Sequence, residues 1–196
     1  MLRVGILAFH GDVSEHLRAS KGAAEKLKRK IIVSEVRTRS DLNGLDALII
    51  PGGESTTLQK LCEREGMFPA MKKIKNIFGT CAGAILLAKK VRNKATNQRT
   101  IELMNIEVER NAYGRQNESF EKEIGTTLGK MVATFIRAPH INNVGKGVTV
   151  LAKDGGEILA CEQRVGDKYY LALSFHPELT TTKFHEYFLN QVASAR

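Results

Sequence analysis

Long apolar runs are the first thing this chain of 196 residues lacks. Although 42% of its residues are hydrophobic, no uninterrupted stretch approaches the roughly 18 needed to cross a bilayer, so no membrane association is expected. The opening "MLRVGILAFHGD" has neither the extended apolar region nor the small-residue cleavage site of a secretory leader. Cysteine is scarce as well. Cys62, Cys81 and Cys161 are odd in number, far apart and without CxxC spacing, which argues against a zinc site or a dithiol redox pair and for a reducing, cytoplasmic setting. Phosphate-binding loops are missing too: there is no GxxxxGK[ST], and "FHGD" after the first strand is not GxGxxG. With no repeat, low-complexity linker or break in composition, residues 1–196 read as one domain.

Lys and Arg exceed Asp and Glu, leaving a formal charge of +9. Such a surplus fits nucleic acid, an acidic protein partner or simply a basic soluble surface. The basic residues are scattered, the densest run being "KKVRNK" at 89–94, and neither an RNP-like aromatic pattern nor a recognition helix accompanies them. No nucleic-acid partner is therefore expected.

What is present alternates. "RVGILAF" is a short, almost continuous apolar run of the kind buried on both faces of a sheet, and a helical pattern follows from about Val13 to Lys28. The β-branched "IIVSEV" at 31–36 and "DALIIP" at 46–51 continue the alternation. Pro51-Gly52-Gly53 then breaks the third strand before "STTLQKLCERE", a helix expected to be capped by Ser55 or Thr56. Lys75–Thr80 reads as a central strand entering a helix at Cys81 that runs to about Lys90. Beyond Asn105 the chain turns to short strands, "NIEVER", "MVATFIRAP" and the long "GVTVLAKDGGEILACEQRVGDKYYLALSFH", with hairpin turns at Asp154-Gly155-Gly156 and Gly166-Asp167. These read as strands added to the same sheet. The amphipathic "KFHEYFLNQVASA", with Phe184, Tyr187, Phe188 and Val192 at helical spacing, would pack back onto it. The pattern implies an α/β fold, a mostly parallel sheet between helices with antiparallel strands in its C-terminal half.

Gly79-Thr80-Cys81-Ala82-Gly83 has the spacing of a nucleophile elbow, in which a tight strand-to-helix turn projects a reactive side chain. Side chains at either glycine would crowd such a turn, and the helix beginning after Cys81 aims N–H groups and partial positive charge at the sulfur, favouring a thiolate. The N–H of Ala82 would face a developing oxyanion. Free cysteine is also among the most buried residue types, so the five-residue motif alone leaves two readings open, nucleophile or packed thiol. Cys62, in a helix, and Cys161, in an alternating strand, read as packing.

A thiol nucleophile needs a base, and the base an orienting group. His176 directly follows the strand "YYLALSF", Pro177 ends the ladder, and Glu178 can hold the imidazole in one tautomer. His16 and His185 lie in helical segments and read as surface or packing residues; His10 and His140, at strand ends, are candidates to line a pocket. His140, His176 and Glu178 lack the short spacings of a zinc site, so no metal is expected. Pro51-Gly52-Gly53-Glu54-Ser55 lies at a strand's C-terminal end, where open α/β sheets bind ligands and bare glycine amides can meet an anion, although a plain turn is the commoner explanation of one Pro-Gly-Gly.

"PGGEST", "FGTCAG" and "SFHPE", in this order, resemble the triad-type glutamine amidotransferases. "GILAFHGDVSEH", "PGGESTT", "FGTCAGAILLA", "VERNAYGRQNESFE", "FIRAPHI" and "SFHPELT" narrow the resemblance to the glutaminase subunits of pyridoxal 5′-phosphate synthase. The blocks extend from the first strand to the start of the last helix. The resemblance implies a flavodoxin-like three-layer fold and hydrolysis of L-glutamine to glutamate and ammonia, with no cofactor. The ammonia would pass to a synthase subunit that builds pyridoxal phosphate, in a hetero-oligomer around a synthase core. Carried onto this chain, Cys81 would attack the amide carbonyl, His176 would shuttle protons and Glu178 would orient His176. Gly53 and Ala82 would supply the oxyanion hole. Gly52, Gly53, Glu54, Arg110, Ile136 and Arg137 match the positions that hold the substrate. Two features depart from the family: His10 stands where relatives usually carry Gln, and "VRNKATNQRTIEL" at 91–103 lacks the expected Gly-Leu-rich wording. Two other functions remain in view, the glutaminase of imidazole glycerol phosphate synthase and a non-catalytic flavodoxin-like module with a structural Cys81; "RNAYGRQ" and "FIRAP" speak against the first.

Overall fold

The computed structural model describes residues 1–110, 112 and 119–194. In chain order the elements are β1 (Leu2–Leu7), α1 (Val13–Lys26), β2 (Ile31–Val36), β3 (Ala47–Ile50), α2 (Ser55–Arg64), α3 (Phe68–Met71), β4 (Asn76–Thr80) and α4 (Ala82–Leu87). There follow β5 (Ala88–Arg92), β6 (Met104–Glu109), β7 (Ser119–Ile124), β8 (Met131–Ile136), β9 (His140–Val144), β10 (Val148–Asp154), β11 (Glu157–Val165), β12 (Lys168–Leu173) and α5 (Lys183–Ser194).

The main sheet runs β2-β1-β3-β4-β12-β11-β9-β6-β5, with β10 paired to β11. Its first five strands are parallel throughout, and from β12 through β11 and β9 to β6 each pairing is antiparallel. The order 2-1-3-4 followed by one more parallel strand is that of flavodoxin-like sheets, whose ligands gather at the reversal between the first and third strands. Side chains alternate across this sheet into two cores. Leu2, Val4, Ile6, Ala47 and Ile49 face Phe184, Phe188 and Val192 of α5 and Ala23 of α1. Leu7, Leu48 and Ile50 face Leu58 and Cys62 of α2, Met71 of α3 and Leu86 of α4. Strands buried on both faces must be apolar at nearly every position, as β1 and β3 are.

The hairpin turns form as read: Gly155 and Gly156 at φ +52° and +97°, and Gly166 at +61°, occupy the left-handed region that such tight turns require. Two expectations are corrected. The helix after Cys81 stops at Leu87 rather than near Lys90, because the carbonyls of Leu86 and Leu87 accept from the N–H groups of Ile101 (2.7 Å) and Leu103 (2.9 Å) and are lost to further helical turns. The "MVATFIRAP" strand, β8, does not join the main sheet. It pairs antiparallel with β7 as a separate ribbon and touches the main sheet's end through a bridge between Thr134 and His176. Of the block "VERNAYGRQNESFE", Asn111 and residues 113–118 lie outside the described residues. No helix of the described residues is long and apolar enough to cross a membrane.

Candidate active site

Four chain segments converge at the C-terminal ends of β1, β3, β4 and β12. Cys81 joins β4 to α4 with φ +48° and ψ −105°, a conformation that non-glycine residues rarely adopt. It is held there by its own N–H donating to the Leu173 carbonyl (2.8 Å) and its carbonyl accepting from the Ile85 N–H (3.2 Å). The flanking glycines are required sterically. A Cβ on Gly79 would lie 2.5 Å from the Gly83 carbonyl carbon, and one on Gly83 would be driven into the carbonyl oxygen of Ile50. Ala82 is the first residue of α4, so its N–H has no partner within the helix. The Cys81 thiol is 3.9 Å from the Ile136 carbonyl oxygen.

His176 is buried just beyond β12, where its N–H donates to the Thr134 carbonyl of β8 at 2.9 Å. Its Nδ1 faces two carboxylates, Glu178 Oε1 at 2.8 Å and Asp12 Oδ2 at 3.0 Å. Burial would pull the imidazole's pKa down; Asp12, the neighbouring Cys81 sulfur and Glu178 outweigh it and push the value up to about 12. The other ring nitrogen, Nε2, is buried and makes no directed hydrogen bond among the described residues. Glu178 stands in the 3₁₀ turn Pro177–Leu179. Burial favours its neutral form, yet the charge and hydrogen bond of His16, then His176, hold it well below the usual carboxylate range.

Of the two readings of His16 and His185, surface or packing, the surface one is corrected and burial against Phe78 fits the other. Both are completely buried. His16 Nε2 lies 3.3 Å from Glu178 Oε1 and 3.1 Å from Thr80 Oγ1, and its Nδ1 lies 3.0 Å from His185 Nε2. Asp12 and His16 are the two groups at this site that sequence reasoning did not single out. They come from the "GDVSEH" segment, 164 and 162 residues before the residues they meet, and no local spacing reports such contacts.

The Gly52-Gly53 turn closes the opposite wall. A Cβ at Gly52 would run into the His176 ring, and one at Gly53, φ +126°, would meet the His10 ring at 2.7 Å. His10 therefore does stand beside the proposed oxyanion region. His140 does not reach the pocket; it lies 3.6 Å from Glu157. The cap of α2 is Glu54, not Ser55 or Thr56: its carboxylate accepts from the N–H groups of Thr56 (3.0 Å) and Thr57 (2.6 Å) and from both threonine hydroxyls. Burial works against that charge, but these hydrogen bonds hold its pKa down at about 2. Arg110 Nη2 donates to the same carboxylate at 3.3 Å, so Glu54 reaches the pocket as an anchor for a guanidinium. Ile136 and Arg137, at the end of β8, complete the lining with Asp12, Cys81 and His176. Arg137, at φ +44°, is another strained backbone position beside the thiol.

Asp12, His176 and Glu178 present three donor atoms within 4.8 Å of one another. The pairing differs from the His140, His176 and Glu178 set considered above. A cation there would have to replace the hydrogen bonds that orient the imidazole, and the donor set is already explained by them. Cys62 and Cys161 are buried away from the pocket, and burial, with Glu63 and Glu162 adjacent, pushes both thiols up to about 12.

A thiol on a strained elbow beside a carboxylate-held imidazole, at the C-terminal edge of a flavodoxin-like sheet, is found here in a chain of the glutamine amidotransferase class. A solved glutamine amidotransferase superposes with a TM-score of 0.82 at 42% identity, covering 97% of this chain and 98% of that one. A Thermoplasma acidophilum structure 16% identical, with a TM-score of 0.65, shares the fold. The chain belongs to the SNO glutamine amidotransferase family, whose sequence profile it matches over residues 6–194. It is 46% identical to the pyridoxal 5′-phosphate synthase subunit PdxT of Methanocaldococcus jannaschii over 95% of this chain and 96% of that protein. To the PdxT of a Geobacillus species it is 41% identical over the full length of both.

Proposed function

We propose that residues 1–196 act as one glutaminase domain that hydrolyses L-glutamine to L-glutamate and ammonia and delivers the ammonia to a pyridoxal 5′-phosphate synthase subunit. The observation that carries this reading is the Cys81 elbow opening on the pocket in which two carboxylates hold His176. Cys81 sulfur attacks the side-chain amide carbon. The oxygen takes up the negative charge facing the N–H groups of Gly53 and Ala82, donors of a kind worth roughly 3–4 kcal/mol each in the transition state. His176 already holds the proton that the thiol gives up and delivers it to the departing nitrogen, so that ammonia leaves a glutamyl thioester and a neutral imidazole. The same imidazole then removes a proton from water, whose oxygen replaces sulfur at the acyl carbon and releases glutamate. Glu178 orients the ring throughout. Arg110, braced by Glu54, and Arg137 offer guanidinium groups suited to the substrate α-carboxylate, with Gly52, Gly53 and Ile136 shaping the rest.

Ammonia released without an acceptor is wasted, which favours a glutaminase that works only when its synthase is docked in a hetero-oligomer. Glutamine hydrolysis measured with and without the synthase subunit of the same organism tests both steps. A rate that rises on the order of 100-fold on adding the synthase is expected, the change that one oriented hydrogen-bond donor makes. Equal rates would remove the gating, and no hydrolysis in either mixture would remove the enzyme assignment.

A further inference from the structure

Behind the proposed triad lies a pair of histidines that the reaction above does not use. We infer that His16 is a positioning residue for this reaction: through Nε2 it holds the Glu178 carboxylate that orients His176. The inference rests on the proposed role of Glu178. Glu178 Oε1 is shared by His176 Nδ1 at 2.8 Å and His16 Nε2 at 3.3 Å, while Oε2 is buried without a hydrogen-bond partner among the described residues. Two imidazoles on one oxygen are thus the side-chain contacts that hold this buried anion. An ionised carboxylate only accepts, so a His16 Nε2 that holds it carries a hydrogen, shared with Thr80 Oγ1, which lies 3.1 Å from the same nitrogen and accepts in this arrangement. On its far side His16 meets His185. Burial, then the neighbouring His16, hold the His185 pKa down at about 3, so this ring is neutral. His185 Nδ1 is buried without a hydrogen-bond partner among the described residues. His185 Nε2 and His16 Nδ1 lie 3.0 Å apart and share one hydrogen, which either ring can carry while His16 keeps its Nε2 hydrogen for Glu178. The chain of contacts runs from His185 through His16 to Glu178, and His176 meets the same carboxylate from the other end.

The second grip has work to do because Asp12 competes. His176 Nδ1 has one hydrogen, and Asp12 Oδ2 lies 3.0 Å from it. A Glu178 free to move would cede that hydrogen and let the ring turn. The ionisable groups facing Glu178 are His16 from α1, His185 from α5 and His176 beyond β12, with Asp12 reaching His176 from the loop ahead of α1. β8, packed on the same turn, contributes no titratable side chain. Packing alone would be served by the edge-on contact of His16 with Phe78, which puts no nitrogen on a carboxylate.

The test compares His16→Gln, His16→Asn and Glu178→Gln with the wild-type chain in glutamine hydrolysis with the cognate synthase subunit, across the pH range. The amide nitrogen of Gln reaches the place of Nε2, that of Asn the place of Nδ1. His16→Asn is expected to lower kcat roughly 10–100-fold with KM little changed. It should also move the acid limb of the profile to higher pH, since Glu178 loses a donor to its charged form. His16→Gln should recover most of kcat. Equal kcat and an unmoved acid limb in the two His16 variants would overturn the inference, whereas a fully active Glu178→Gln would overturn the triad reading beneath it. Should neither His16 variant fold, histidine labelled with ¹⁵N in the wild-type chain decides: a protonated His16 Nε2 whose resonance shifts in Glu178→Gln is expected, and an unprotonated Nε2 overturns the inference.

Discussion

Three cysteines of the same chemistry are distinguished here by backbone and burial. Cys62 and Cys161 lie in regular elements, with thiols pushed up to about 12 by burial and an adjacent glutamate, while Cys81 is turned toward the pocket by a left-handed φ of 48°. A chloroketone analogue of glutamine should therefore alkylate Cys81 and spare the other two, as peptide mapping by mass spectrometry would record; an adduct on Cys62 or Cys161 contradicts the assignment. Cys81→Ala should abolish turnover, by about four orders of magnitude or more, with the melting temperature preserved. Cys62→Ala should keep turnover and lose about 1 kcal/mol of stability to the void left by the sulfur. The placing of Cys81, His176 and Glu178 at strand ends was legible because each belongs to a short motif whose neighbours, a glycine pair or a proline, have a local steric function, although the elbow alone left Cys81 open between nucleophile and packed thiol. Asp12 and His16 were not. Their function arises only when the loop after β1 and the first turn of α1 are laid against a turn more than 160 residues away, and one polar position in an amphipathic helix has no spacing that announces a buried partner.

At the scale of elements, the elbow is two glycines deep. A methyl on Gly83 has no space beside the Ile50 carbonyl, so Gly83→Ala must push α4 off β3, at a cost of roughly 1–3 kcal/mol. Because the N-terminus of α4 carries the Ala82 amide, kcat should fall with it. Gly155→Ala is the control: nothing lies within 4 Å of its Cβ position, and only its φ of +52° is disfavoured. It should lose about 1 kcal/mol and keep its activity, as urea unfolding and steady-state rates would show for the pair. The strands were legible because strands buried on both faces must be apolar throughout, and the paired glycines of the hairpins name their own turn. The end of α4 was not, since it is set by two N–H groups arriving from Ile101 and Leu103 rather than by any stop signal at Lys89 or Lys90. The cap of α2 was missed for a related reason: Glu54 is an uncommon cap, and its place is secured partly by Arg110, which is 56 residues away.

For the whole molecule, the chain of contacts from Asp12 to His185, buried from His176 onward, ties α1, α5 and the end of β12 together, so protonation there is coupled to global unfolding. His176, pushed up to about 12 by Asp12, Cys81 and Glu178 against the pull of burial, contributes stability that is complete below its unfolded value near 6.5 and is lost as pH rises. Glu178, held low against burial by His16 and His176, contributes stability that is complete above its unfolded value near 4.3 and is lost as pH falls. His185 has the opposite sense to His176: held down at about 3, it stays neutral when folded, and the unfolded chain begins to bind its proton near pH 6.5. Stability should thus peak near pH 6.5, and the first loss on the acid side belongs to His185, because the other two contributions are flat between pH 6.5 and about 4.5. One proton taken up only by the unfolded state corresponds to about 2 kcal/mol between pH 6.5 and 5. In urea titrations the wild-type chain should show that decline, and His185→Asn should flatten it while leaving the steeper fall below about pH 4.5, where the unfolded chain takes up the Glu178 proton that the folded chain still refuses. A decline of unchanged slope in His185→Asn would mean that proton uptake by the unfolded chain at another group drives it, and the assignment of a folded-state His185 that stays neutral would fall.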